Sequence, residues 1–203
     1  EAVAAAAAPH ATAIQHDRLG TAHAALAAKD AIPSDIDDLL ILNGDNPLIP
    51  QGCIENLLAV RQSADAPAVT VLGFRTDQPG AYGRLLTDAD GRLERIIEAK
   101  DATPAELEIN LCNAGMMSLD SATAFKMLEQ IGNDNAAGEY YLPDVVAVAR
   151  SKGRICAVVE GIEQDLMGIN SRAELAEAEA VLQDRLRELA LSAGVTMVDP
   201  SSV

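Results

Sequence analysis

No apolar stretch in the 203-residue sequence approaches the roughly 20 residues that a membrane-spanning helix requires, and the alanine-rich start lacks the basic region of a secretory signal. The chain is therefore expected to be soluble and unsecreted, with no membrane partner. Cysteine is scarce: Cys53, Cys112 and Cys156 lie far apart with no C-x-x-C spacing. That argues against a disulfide framework or a zinc site and fits a reducing cytoplasm. Basic residues number 15 against 31 acidic ones, for a net charge of -16. Such a charge repels nucleic acid and anionic membranes, and a polyphosphate ligand would need a metal ion or local cations. Internal repeats, low-complexity linkers and signs of a second domain are also missing, and the length suits one domain with a sizeable core. A nucleophile constellation is absent as well. There is no G-x-S-x-G elbow, and His10, His16 and His23 cluster without Cys or Asp partners at ligand spacing, so all three read as surface or packing residues.

What is present is an alternation. Runs rich in β-branched residues, "LLILN", "AVTVLGF" and "ICAVVEG", are separated by segments of helical spacing such as "QGCIENLLAVRQ" and "YLPDVVAVARSKG". This predicts an α/β fold with a largely parallel sheet. The stretch "GRLLTDADGRLERIIEA" interrupts it with two alternating arms around Asp90-Gly91, a two-residue hairpin signal that makes the sheet mixed. Near the end, Ser171-Arg172-Ala173-Glu174 forms a capping box, and Leu175, Ala178, Leu182, Leu186 and Leu189 follow at helical intervals up to Gly194, a C′ glycine. The opening "EAVAAAAAPH" reads as the tail of a helix already under way, and the close "VTMVDPSSV" follows a short strand signal, so both ends read as cuts through something longer.

Several punctuated stretches can carry chemistry. Gly44-Asp45-Asn46-Pro47 stops an apolar strand where ligands bind in parallel α/β sheets, so Asp45 is a candidate magnesium ligand or else turn chemistry bonding nearby amides. Gly20-Thr21 precedes a helical run, where free amides and a hydroxyl can meet a base or phosphate or merely begin a helix. Gly83 in "GAYGR" permits close approach of a ligand or serves a bend. Glu98 can accept from sugar hydroxyls or pair with Lys100, and Asn113, read as lying beside a small-residue turn before a strand, can fix a sugar or satisfy backbone. Asn170 can bring a carbonyl oxygen to the same metal as Asp45, or serve only as a residue preceding the helix.

Singly these signals are weak, but their order is specific: Q-x4-L-G-T-x-H-A, G-D-x-P-L, Y-G-R, E-x-K-D-A-T, N-x-G, G-E-Y-Y-x-x-D and G-I-N-x-R. Essentially the whole chain resembles the uridyltransferase domain of the bifunctional N-acetylglucosamine-1-phosphate uridyltransferase/glucosamine-1-phosphate acetyltransferase family. The resemblance implies a Rossmann-like nucleotidyltransferase fold with a mixed, mostly parallel sheet and an inserted β-hairpin. It implies transfer of uridylyl from UTP to N-acetylglucosamine 1-phosphate, giving UDP-N-acetylglucosamine and pyrophosphate, in the cytoplasm and toward peptidoglycan and lipopolysaccharide. Gln15, Gly20 and Thr21 would then meet the uracil and ribose, and Gly83, Glu98, Asn113 and Asn170 the sugar. Asn43 and Gly44 would line the site, with Asn43 standing where the family usually has an aromatic residue. Asp45 and Asn170 match the two magnesium ligands.

The family's first strand and glycine-rich loop, roughly L-A-A-G-x-G-T-R-M, are not in this sequence. Residues 1–193 are accordingly expected to form a partial nucleotidyltransferase domain that does not turn over appreciably and exposes unpaired strand edges. Residues 194–203 would begin a C-terminal region through which the parent enzyme forms homo-oligomers. The alternatives are another sugar-phosphate nucleotidyltransferase and a non-catalytic module that binds a nucleotide-sugar.

Overall fold

A computed structural model describes residues 2–203. The apolar runs become β1 (Asp38–Ile41), β2 (Val69–Arg75) and β6 (Cys156–Gly161). β3 (Arg84–Thr87) and β4 (Leu93–Ile97) form the hairpin, and a long β5 (Leu111–Asp120) follows. The sheet order is β4-β3-β5-β2-β6, with β1 also pairing β5. β5 runs antiparallel to β1, β2 and β3, whereas β2 and β6 are parallel. β1, β2, β3 and β6 therefore share one direction, as the strand and helix alternation implies, while β4 and β5 oppose it. Most neighbouring pairs are antiparallel because β5 lies between strands of the common direction.

Helices cover both faces, which is why β2 is buried on each side from Val69 to Phe74. On one face Val69, Val71, Met117 and Leu119 pack with residues of α2 (Thr21–Ala27), α5 (Ser121–Leu128) and α6 (Val145–Ser151). On the other, Leu72, Phe74 and Met116 meet Leu57 of α3 (Gln51–Arg61) and Leu166. Short helices α1 (Ala2–Ala7) and α4 (Pro104–Leu107) add no buried residue.

Two local expectations change. The hairpin turn is longer than two residues: Asp88 N–H donates to Arg92 O (2.9 Å) and Gly91 N–H to Asp88 O (3.0 Å), leaving Ala89, Asp90 and Gly91 as the loop. Asp88 also draws the amides of Asp90 and Arg92 onto Oδ1, which favours the wider turn and holds its carboxyl below the usual range. The last helix, α7 (Arg172–Ser192), has the expected ends but not the expected burial. Ser171 Oγ accepts from Glu174 N, although Glu174 Oε2 takes the amide of Asn170 rather than that of the cap residue. Gly194 and Val195 donate back to Leu191 and Ala190, a Schellman close. Of the apolar stripe only Ala178 is buried, at 3% exposure, while Leu189 is 67% exposed and Leu175, Leu182 and Leu186 also face outward. The periodicity makes the helix amphipathic, but nothing among the described residues covers that face.

Candidate active site

Just beyond the carboxyl end of β1, the chain turns at Gly44-Asp45-Asn46 and is stitched to the loop before α7. Buried Asn46 donates Nδ2 to Leu166 O (2.9 Å), and Ile169 N–H donates to Asp45 O (2.9 Å). These two bonds bring Asn170 beside Asp45. Both side chains share a cavity of about 370 Å³ with Asn43, Gly83, Glu98 and Asn113. Asn46, Tyr82 and Gly168 line it too, and none was singled out from sequence. Tyr82 sits within "GAYGR", next to Gly83, so the motif itself carries its signal. Gly44 does not line the cavity, and a Cβ there would meet nothing within 4 Å.

Asn113 lies inside β5 rather than before it. Leu111 and Cys112 already pair with β2, after which the register jumps from Gly73 opposite Asn113 to Leu72 opposite Met116. Ala114 and Gly115 form the resulting bulge, which re-aims the strand at the cavity. Asn113 N–H donates to Gly83 O (2.8 Å), and its Oδ1 accepts from Gly115 N (2.9 Å), so its amide NH₂ remains for a ligand. Gly115 has φ +78°, and a Cβ on it would stand 2.2 Å from Asn43 Nδ2. Only glycine lets Asn43 and the bulge meet.

The Tyr82-Gly83 wall is fixed by Arg84, which is 2% exposed yet has no carboxylate partner among the described residues. Its guanidinium instead donates to carbonyls: Tyr82 O, Gly80 O (3.2 Å) and Leu107 O (3.4 Å). Tyr82 packs edge-on against Phe74 at 4.9 Å between ring centres, and burial pushes its phenol up. Arg84→Met should strand these carbonyls and cost about 2–3 kcal/mol of stability, which urea unfolding would measure.

Glu98 borders both this cavity and a second one of about 530 Å³ that contains Tyr141 and Asp144. Burial pushes the Glu98 carboxyl up, against the pull of Lys100, and burial together with Asp101 raises Asp144. A carboxyl raised in the folded chain binds its proton more tightly there than when unfolded, so its contribution is present at acid pH and lost as pH rises toward neutrality. Glu98→Gln is therefore expected to be more stable than wild type at neutral pH, with the gap closing on acidification, as thermal melts across pH would record.

Gln15, Gly20 and Thr21 do not line the first cavity. They form a separate stitch to Tyr140–Leu142: Ala22 N–H donates to Tyr140 O, Tyr140 N–H to Leu19 O, and Leu142 N–H to Thr21 Oγ1 (2.9 Å). Gln15 Nε2 donates to Gly20 O at 3.0 Å and lies 3.1 Å from His23 Nδ1. His23 is thus not a mere surface or packing residue, and its spacing eight positions from Gln15 carries no motif that would have flagged it. His10 and His16 are exposed, as expected.

Among the described residues no group of three or more His, Cys, Asp or Glu side chains converges to hold a metal alone. Asp45 Oδ2 and Asn170 Nδ2 nevertheless both border Gly168, lying 4.0 and 3.8 Å from where a Cβ on it would stand. Turning the Asn170 amide over puts Oδ1 where Nδ2 stands, facing the same cavity as the Asp45 carboxylate. One carboxylate and one amide oxygen fit magnesium, which keeps water and ligand phosphates for its remaining positions.

A profile of the Nucleotidyl transferase family matches residues 5–159. The bifunctional protein GlmU of Paramagnetospirillum magneticum is 50% identical over 196 residues, covering 97% of this chain and 43% of its own. That of Rhodospirillum rubrum is 51% identical over 203 residues, covering 100% and 45%. The chain thus spans a little under half the length of these curated relatives. Among solved structures, UDP-glucose pyrophosphorylase complexed with UDP-glucose matches with a TM-score of 0.64 at 15% identity, over 84% of this chain and 64% of that one. A CMP:2-keto-3-deoxy-manno-octonic acid synthetase complexed with CTP matches with a TM-score of 0.59 at 14% identity, over 81% and 68%. At these identities the two structures establish the fold alone.

Proposed function

The chain belongs to the Nucleotidyl transferase family, and on that premise we propose that it serves uridylyl transfer from UTP to N-acetylglucosamine 1-phosphate, yielding UDP-N-acetylglucosamine and pyrophosphate. What supports the reading most is the convergence of Asp45, Gly83, Glu98, Asn113 and Asn170 on one cavity from segments far apart in the chain. In it Glu98 accepts from sugar hydroxyls, the free NH₂ of Asn113 donates to the sugar, and Gly83 lets the ring approach the backbone. Asn43 bounds the same end, Gly44 belongs to the turn that presents Asp45, and Gln15, Gly20 and Thr21 hold the uracil and ribose. Asp45 and Asn170 hold magnesium, which when bound neutralises phosphate charge. The task of the chain's own groups is alignment of the two substrates. The reading further places the protein in the cytoplasm, in the supply of peptidoglycan and lipopolysaccharide precursors, with a homo-oligomeric parent assembled through a C-terminal acetyltransferase region.

Calorimetric titration with UDP-N-acetylglucosamine and with UDP-glucose, each with and without magnesium, tests it. The expected result is magnesium-dependent binding with a preference of roughly tenfold, about 1.4 kcal/mol, for the acetylamino sugar. Equal binding of both sugars would overturn the substrate assignment, and no binding of either would overturn the reading.

A further inference from the structure

We infer that His23 is a positioning residue: it locks the Gln15 side chain so that only the amide oxygen faces outward, selecting a nucleobase edge that donates, uracil over cytosine. The inference rests on the reading that Gln15 meets the base. Gln15 Nε2 lies 3.0 Å from Gly20 O and 3.1 Å from His23 Nδ1. A carbonyl can only accept, so the end of the amide that faces Gly20 is the NH₂. The second N–H then meets His23 Nδ1, which must hold a lone pair, with the ring proton on Nε2. Both donors of Gln15 are consumed, and Oε1 has no hydrogen-bond partner among the described residues.

An unrestrained glutamine turns its amide and serves a donor or an acceptor alike. This one cannot, because the turned amide would set Oε1 against two lone pairs at once. The frame holding it is tied to a second segment: Gly20 abuts Tyr140, and His23 lies in α2, whose first residue Thr21 is bonded to Leu142. Uracil carries a hydrogen on N3, whereas cytosine N3 is a bare acceptor. A fixed oxygen facing that edge accepts from uracil and meets a lone pair on cytosine. Sites whose polar groups are fixed reject the analogue that leaves them unpaired.

The test has two arms. In the unliganded chain, ¹⁵N NMR of the His23 ring should show the proton on Nε2; a proton on Nδ1 would overturn the lock whatever the protein binds. The UTP to CTP affinity ratio is then measured for wild type, His23→Asn and His23→Gln. Asparagine can set an oxygen where Nδ1 stands and should preserve the ratio, whereas glutamine reaches past that point and should lower it roughly tenfold. An unchanged ratio in His23→Gln, beside a discriminating wild type, sinks the inference alone. A wild type that binds neither nucleotide, with the ring proton on Nε2, sinks the functional reading and the specificity claim built on it.

Discussion

Gly20→Ala is expected to be the most destabilising single-methyl change in the chain. An added Cβ would stand 2.5 Å from Tyr140 O and 2.7 Å from Tyr140 N, both backbone atoms that cannot rotate away. The residue also has φ +117°, a conformation that L side chains rarely adopt. Relief requires parting the two segments, which breaks the bonds of Tyr140 with Leu19 and Ala22 and pulls Leu142 from Thr21. Backbone strain and these lost bonds together amount to about 3–5 kcal/mol. Gly44→Ala is the control: nothing lies within 4 Å of its Cβ position, so it should stay within about 1 kcal/mol of wild type. Urea midpoints measured side by side decide the matter, and equal midpoints would show that the stitch yields without cost.

The second large effect is on binding. Asp45 contributes its backbone oxygen to the fold through Ile169, but its carboxylate makes no hydrogen bond or ion pair among the described residues. Asp45→Ala should therefore leave stability within about 0.5 kcal/mol while abolishing the magnesium dependence of UDP-N-acetylglucosamine binding, a loss of about a hundredfold or ~2.7 kcal/mol. Asn46→Ala should act on stability as well as on the site. Its buried amide holds Leu166 O, so its removal loosens the loop that carries Asn170 and lowers the melting temperature. A magnesium response that survives in Asp45→Ala would remove this carboxylate from the metal site.

Much of this was legible in the sequence where local chemistry decides the outcome. The turn at Gly44-Asp45 just past β1, the hairpin and both ends of α7 follow from turn and capping residues that act on their immediate neighbours. The convergence of Asp45 with Glu98, Asn113 and Asn170 was legible only through the order of motifs, since no spacing rule joins residues so far apart. The bulge at Ala114-Gly115 was hidden because "NLCNAGMM" reads equally well as a turn followed by a strand. Its register is set by Gly73 and Leu72 on another strand. The burial of Arg84 carries no sequence signal, because its partners are backbone carbonyls. The leucines of α7 show the opposite limit: periodicity reveals an apolar face but not whether anything packs against it.

β5 has a consequence for how quickly the chain can assemble. It pairs with β2 along one edge and with β1 and β3 along the other, so the sheet has no connected middle until residues 111–120 arrive. Asp38 must find Asp120, and Val69 must find Leu119, each across a long intervening loop whose closure entropy precedes any reward. During synthesis β1 and β2 therefore emerge and wait, their edges open to pairing with other chains. Refolding should accordingly be slow for a domain of this size, and its yield should fall steeply with protein concentration.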